Sequence, residues 1–135
     1  MLFRSKRRLH EDRNKNNKST TSHWALFSSH RGSGIIVCIR ANTLIAATGE
    51  VLQGTIEEQT KLVLDNIGEI LLAGGLNYAN VVKTTVFLTD LADFAAVNGV
   101  YGSYFQEQAP ARSCVQVAAL PKGVKIEIEV IAVSK

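Results

Sequence analysis

The sequence predicts an α+β fold in which two amphipathic helices cover one face of a mixed β-sheet. Three observations predict it. A capping signature at Thr55 opens a stripe of apolar residues at helical spacing. Residues 81–89 alternate in polarity and are rich in β-branched side chains. After a second helical stretch, two more strand-like runs close the chain. A chain of 135 residues with 46% hydrophobic residues suits one domain with a sizeable core.

Taken in order, residues 1–34 read as a basic leader without fixed structure, and residues 35–135 as the domain. The leader holds eight Lys/Arg against Glu11 and Asp12, whereas the remainder holds seven against ten acids. The net charge of +3 is therefore a property of the leader, and the domain is mildly acidic. Such a tail can be a solvated extension, an import sequence, or a contact for nucleic acid or an anionic membrane surface. Glu11 and Asp12 fit an import sequence poorly. Trp24, Leu26 and Phe27 are the segment's apolar cluster. Residues 35–46 are apolar at both ends, and Asn42 is a turn candidate between two short strands of a hairpin.

Thr55-Ile56-Glu57-Glu58 is a capping box, in which the Thr hydroxyl and the Glu carboxylate each satisfy an orphan backbone N–H. Ile56, Val63, Ile67, Ile70 and Leu71 follow at helical spacing, and Gly74-Gly75 supplies a left-handed stop. In the next strand Val82, Thr84, Val86 and Leu88 share one face, and Lys83, Thr85, Phe87 and Thr89 the other. Asp90 is an N-cap candidate for a second helix with Phe94, Val97, Tyr101, Tyr104 and Phe105 on its apolar side. Residues 112–118 form the next strand, 120–123 a turn, and 124–133 the last strand. Two helices cover only one face of such a sheet. The other face carries Lys83, Phe87, Glu127 and Ile131, which is too apolar to be wholly solvated, and is expected to meet another subunit.

Several function classes are excluded or disfavoured. No apolar run approaches the roughly 18 residues of a membrane span. Cys38 and Cys114 form no disulfide framework and are expected to be free thiols in a reducing compartment. His10, His23 and His30 all lie in the leader with no Cys pair nearby, so no metal site is expected. Gly74-Gly75 lacks the strand, Lys and Ser/Thr of a phosphate loop.

Five residues could carry chemistry. Arg112, beside Pro110 at a strand start, offers a fork for a carboxylate or a surface salt bridge. Glu127 and Glu129 share a strand face. One of them could orient a water or move a proton, or both could be neutralised by Lys125 or a neighbouring strand. Cys114 is a nucleophile candidate, although an isolated Cys is more often a small buried hydrophobe. Asn98, a weak helix former inside the second helix, could hold substrate by hydrogen bonds or face solvent.

Asn80-Val81-Val82-Lys83-Thr84-Thr85-Val86, Asp93-Phe94-Ala95-Ala96-Val97-Asn98 with Tyr101, Pro110-Ala111-Arg112-Ser113, and Leu120-Pro121-Lys122-Gly123 leading into Lys125-Ile126-Glu127-Ile128-Glu129 together resemble the Rid (YjgF-type) family. The resemblance runs from Thr48 to Val133. It implies a chorismate-mutase-like fold and a homotrimer with clefts between subunits. It also implies cofactor-independent hydrolysis of 2-imino acids, such as 2-iminobutanoate and 2-iminopropanoate, to 2-oxo acids and ammonia. On that resemblance Arg112 binds the substrate carboxylate, Glu127 positions the attacking water, and Asn98 and the main chain at Cys114 line the cleft. No metal and no membrane partner are expected, nucleic-acid association is left to the basic leader alone, and residence is expected in the cytoplasm, or in a mitochondrion or plastid if the leader directs import. The alternative is a non-catalytic protein of the same fold that binds small carboxylates or a partner chain.

The front of the chain departs from the family pattern. Family members carry Gly-Pro-Tyr-Ser-Gln-Ala on the first strand and Ser-Gly-Gln on the second. Here Gly34-Ile35-Ile36-Val37-Cys38-Ile39-Arg40 has no Tyr, Ser or Gln, and Leu44-Ile45 runs almost directly into Ala47-Thr48-Gly49-Glu50. The expectation is a site short of one wall and a sheet with an unpaired edge.

Overall fold

The computed structural model describes residues 24–29 and 35–134. Five strands form one mixed sheet: β1 (Trp24–Ser29), β2 (Ile35–Asn42), β3 (Val81–Leu88), β4 (Ala111–Gln116) and β5 (Ile126–Val133), in the order β1-β2-β5-β3-β4. Helices α1 (Ile56–Ala73) and α2 (Phe94–Tyr104) lie on one face. β3 and β4 are parallel, and α2 provides the crossover that parallel neighbours require. Every other pair is antiparallel.

The capping box opens α1 as the sequence predicts. Thr55 Oγ1 accepts from the Glu58 amide at 3.2 Å, and Glu58 Oε2 accepts from the Thr55 amide at 2.9 Å. Val63, Leu64, Ile67 and Leu71 are fully buried, facing Ile126, Ile128 and Val130 of β5 and Val37, Ile39 and Ala41 of β2. Each such aliphatic side chain contributes about 1.5–3 kcal/mol on burial. The helix ends where Gly75 adopts φ +73°, which lets the Leu76 amide turn back to the Leu71 carbonyl at 2.8 Å.

The structure corrects three sequence expectations. Residues 35–42 are one strand, not a hairpin bent at Asn42. Val37, Ile39 and Ala41 sustain the buried alternation to the end, and Asn42 Oδ1 then caps the exit by accepting from the Leu44 amide at 3.1 Å. The hairpin partner is β1, so Trp24–Ser29 belongs with the sheet rather than the leader. Residues 1–23 and 30–34, where the rest of the expected leader falls, lie outside the described residues. Val82 is exposed and Val81 buried, because a bulge between Val81 and Lys83 resets the alternation before Thr84, Val86 and Leu88.

β2 is not left as an unpaired edge, since β1 covers it. The short front closes by a tight turn. The Thr48 and Gly49 amides donate to the Ile45 carbonyl, Leu44 bridges to Val51, and Gly49 takes φ +71°. Buried Asn66 of α1 fastens this turn by donating from Nδ2 to the Asn42 and Leu44 carbonyls.

The uncovered sheet face carries Ile36, Cys38 and Arg40 of β2, Glu127, Glu129 and Ile131 of β5, Lys83 and Phe87 of β3, and Ser113 and Val115 of β4. Ile36 and Val115 are 38% and 41% exposed.

Candidate active site

Arg112 sits on the edge strand β4, opposite Thr84 of β3, and points to the helix-covered side. Its Nη1 donates to Asn98 Oδ1 at 2.5 Å. Its guanidinium lies 4.7 Å from the centre of the Tyr101 ring and 5.5 Å from that of Phe94. Phe94, Asn98 and Tyr101 recur at i, i+4 and i+7, so one face of α2 forms a platform under the guanidinium. The Tyr101 hydroxyl is fixed in turn by Thr84 Oγ1 at 2.7 Å. Among the described residues no carboxylate pairs with Arg112. The fork is therefore oriented, exposed and uncompensated, as anion capture requires.

Phe94 and Tyr101, which the sequence placed on the apolar side of the second helix, thus belong to the surroundings of Arg112. Their helical spacing to Asn98 is the signal that could have placed them. Cys114 follows Arg112 by two residues, is half-buried against the core, and is a free thiol. Burial pushes its thiol up, and Arg112 offsets this only in part. A raised thiol is a poor nucleophile at neutral pH, so the covalent role has no support from its surroundings.

Glu127 lies elsewhere. It pairs with Phe87 of β3 and Asn42 of β2 and projects from the uncovered sheet face. Thr84 and Phe87 are three residues apart on β3, so their partners Arg112 and Glu127 stand on opposite faces of the sheet. Within one chain they do not meet. Glu127 is only 5% exposed and accepts from Arg40 Nε at 3.0 Å, while Arg40 Nη2 reaches Glu129 Oε2 at 3.1 Å. Neutralisation thus comes from a neighbouring strand, not from Lys125. Burial pushes the Glu127 carboxyl up, Arg40 pulls it down, and Glu129 pushes it up again.

A separate depression of about 360 Å³ lies beside Tyr78, Tyr104 and Gln106 and contains neither Arg112 nor Glu127. Its tyrosines are spent on structure: Tyr78 donates to the Leu64 carbonyl at 2.7 Å and Tyr104 to Asp65 at 2.6 Å. Among the described residues no group of three His, Cys, Asp or Glu could hold a metal, and no helix is long and apolar enough to cross a membrane.

The family model described as endoribonuclease L-PSP, the Rid (YjgF-type) family, matches residues 37–134. The chain belongs to this family. It is 56% identical over 87 residues to a 2-iminobutanoate/2-iminopropanoate deaminase of Capra hircus, covering 64% of each chain. It is 56% identical over 89 residues to Reactive Intermediate Deaminase A, chloroplastic, of Arabidopsis thaliana, covering 66% of this chain and 48% of that protein. The crystal structure of the YjgF gene product of E. coli superposes with a TM-score of 0.70 at 45% identity, covering 79% of this chain and 85% of that one. The chain thus spans about half to two-thirds of the length of these two curated relatives. Of the motifs named above, Asn98 and Arg112 touch, and the Pro110-to-Ser113 stretch opens β4.

Proposed function

We propose that this Rid-family chain hydrolyses reactive 2-imino acids, such as 2-iminobutanoate and 2-iminopropanoate, to 2-oxo acids and ammonia. The observation that carries the reading is the uncompensated Arg112 fork, held by Asn98 and the aromatic platform. The goat relative's name as a deaminase of these two imines supports it.

The chemistry follows from the side chains. Arg112 takes the substrate carboxylate bidentately and fixes the imine carbon. The protonated imine is already electrophilic, so the reaction calls for no cofactor. Glu127 aims a water at that carbon and accepts its proton. The resulting tetrahedral carbon expels the nitrogen as ammonia once the proton has passed to it, leaving the 2-oxo acid. Asn98 and the main chain at Cys114 line the cleft.

Because Arg112 and Glu127 stand on opposite faces, the site is completed by pairing the Arg112 edge of one chain with the Glu127 face of another. A closed ring of three chains does this with the exposed apolar sheet face turned inward. Residues 1–23, outside the described residues, are a basic extension read as a leader. The Arabidopsis relative is named chloroplastic, which keeps organelle import beside the cytoplasm as the expected location.

The test is ammonia release from 2-iminobutanoate generated in situ, with the full chain and with Arg112→Ala. Acceleration that is lost in the variant supports the reading. Tight binding of 2-oxobutanoate by a folded chain without acceleration would replace it with a non-catalytic carboxylate binder.

A further inference from the structure

We infer that Arg40 is a positioning residue for Glu127, setting the orientation and charge of the carboxylate that handles water. This rests on the deaminase reading of Glu127. It concerns the part of the chain that departs from the family pattern, where no Tyr, Ser or Gln is available.

The register of β2 against β5 places Arg40 opposite Glu129 and diagonal to Glu127 on the same face. Three contacts fix its guanidinium: Glu127 Oε1 at 3.0 Å, Glu129 Oε2 at 3.1 Å, and the Phe87 ring, 5.2 Å to its centre. The Glu127 side chain is 6% exposed and that of Arg40 49%. A carboxylate so far removed from water keeps its charge only with a partner cation. Arg40 engages Oε1, so Oε2 is the oxygen that turns to the water.

Among the described residues the charged groups around Glu127 are few. β2 contributes Arg40 and its own strand contributes Glu129. The facing residue of β3 is the uncharged Phe87, and Lys83 lies further along, donating to Ser113 Oγ at 3.1 Å. Arg40 is therefore the cation that opposes both burial and Glu129, and the balance moves the carboxyl toward working pH, where a general base is most effective. Glu127 acts when ionised, so removing the cation must move the acid limb of the rate profile to higher pH.

The experiment records kcat and KM against pH for the full chain, Arg40→Gln, Arg40→Lys and Glu127→Gln, together with a carbon-13 NMR titration of the Glu127 carboxyl. Arg40→Gln is expected to move both the acid limb and the NMR midpoint up by about one pH unit. At neutral pH kcat then falls up to about tenfold and recovers at higher pH, while KM changes less than about twofold. Arg40→Lys retains the limb, because it retains the charge. An unmoved limb and midpoint in a folded Arg40→Gln chain, with Glu127→Gln inactive, would overturn the role of Arg40 and leave the role of Glu127 standing. Full activity in Glu127→Gln would overturn the reading of Glu127 and the inference built on it.

Discussion

The hydroxyl pair between Thr84 and Tyr101 is the hinge between the core and the Arg112 platform, and its strength can be worked from the structure. The two oxygens are 2.7 Å apart, with Thr84 0% and Tyr101 6% exposed. Tyr101→Phe leaves the Thr84 hydroxyl buried without its partner, which costs about 1–3 kcal/mol. Thr84→Val strands the Tyr101 hydroxyl at a similar cost. The double variant leaves no orphan, so its cost falls well short of the sum, with a coupling of about 1–2 kcal/mol. Urea unfolding followed by circular dichroism at one fixed protein concentration measures this, because assembly shifts apparent stability by mass action. Additivity of the two single variants to within about 0.3–0.5 kcal/mol would refute the coupling. The ring itself has a second duty. Tyr101→Leu removes the aromatic face under Arg112, a contact of about 0.5–1 kcal/mol at an exposed site, and should raise KM about two- to fivefold.

Arg112→Lys should not be mild, because an ammonium offers neither the fork nor the flat face that stacks on Tyr101 and Phe94. Steady-state kinetics should show kcat/KM lower by roughly tenfold or more, the worth of one charge-assisted bond. The acid limb of the unmodified chain should lie above the ordinary Glu value of 4.5, since burial raises the Glu127 carboxyl and the proposed role needs it ionised; a pH–rate profile with its midpoint at or below that value would contradict this. For Asp65, burial pushes the carboxyl up, but bonds from Lys61 and Tyr104 outweigh it and lower it. Its contribution is therefore present above its unfolded value and lost as pH falls through the lower folded one. Asp65→Asn should lose stability near neutral pH and narrow its deficit below pH 3.8, a modest effect for a side chain 45% exposed. Gly68→Ala should destabilise the fold in thermal melts, although Ala favours helix by about 1 kcal/mol, because the new Cβ would meet the Tyr78 ring, with Cζ at 2.9 Å.

Much of the fold was legible because short-range rules govern it. The Thr55 capping box, the Gly74-Gly75 stop and the alternation of residues 84–88 act over a few residues, and each holds. The exceptions have long-range causes. Whether residues 35–46 bend at Asn42 depends on a partner for β2, and that partner is β1, inside a segment whose charge points to a leader. Val81 and Val82 exchange faces because a bulge forms against β5, which periodicity does not encode. At the site, Arg112, Asn98 and Glu127 carried the motif pattern. The platform of Phe94 and Tyr101 reads as core until Arg112 lies on it. Arg40 could not be placed at all, since its pairing with Glu127 depends on the β2–β5 register.

In the proposed assembly the site joins Arg112 of one chain to Glu127 of another. Arg112→Ala and Glu127→Gln chains, each inactive alone, should be co-expressed and assayed for deamination of 2-iminobutanoate. With random mixing in a ring, one interface in four unites an intact Arg112 with an intact Glu127, so activity should return to about a quarter of the unmodified level. No recovery from assemblies shown to contain both chains would contradict the account.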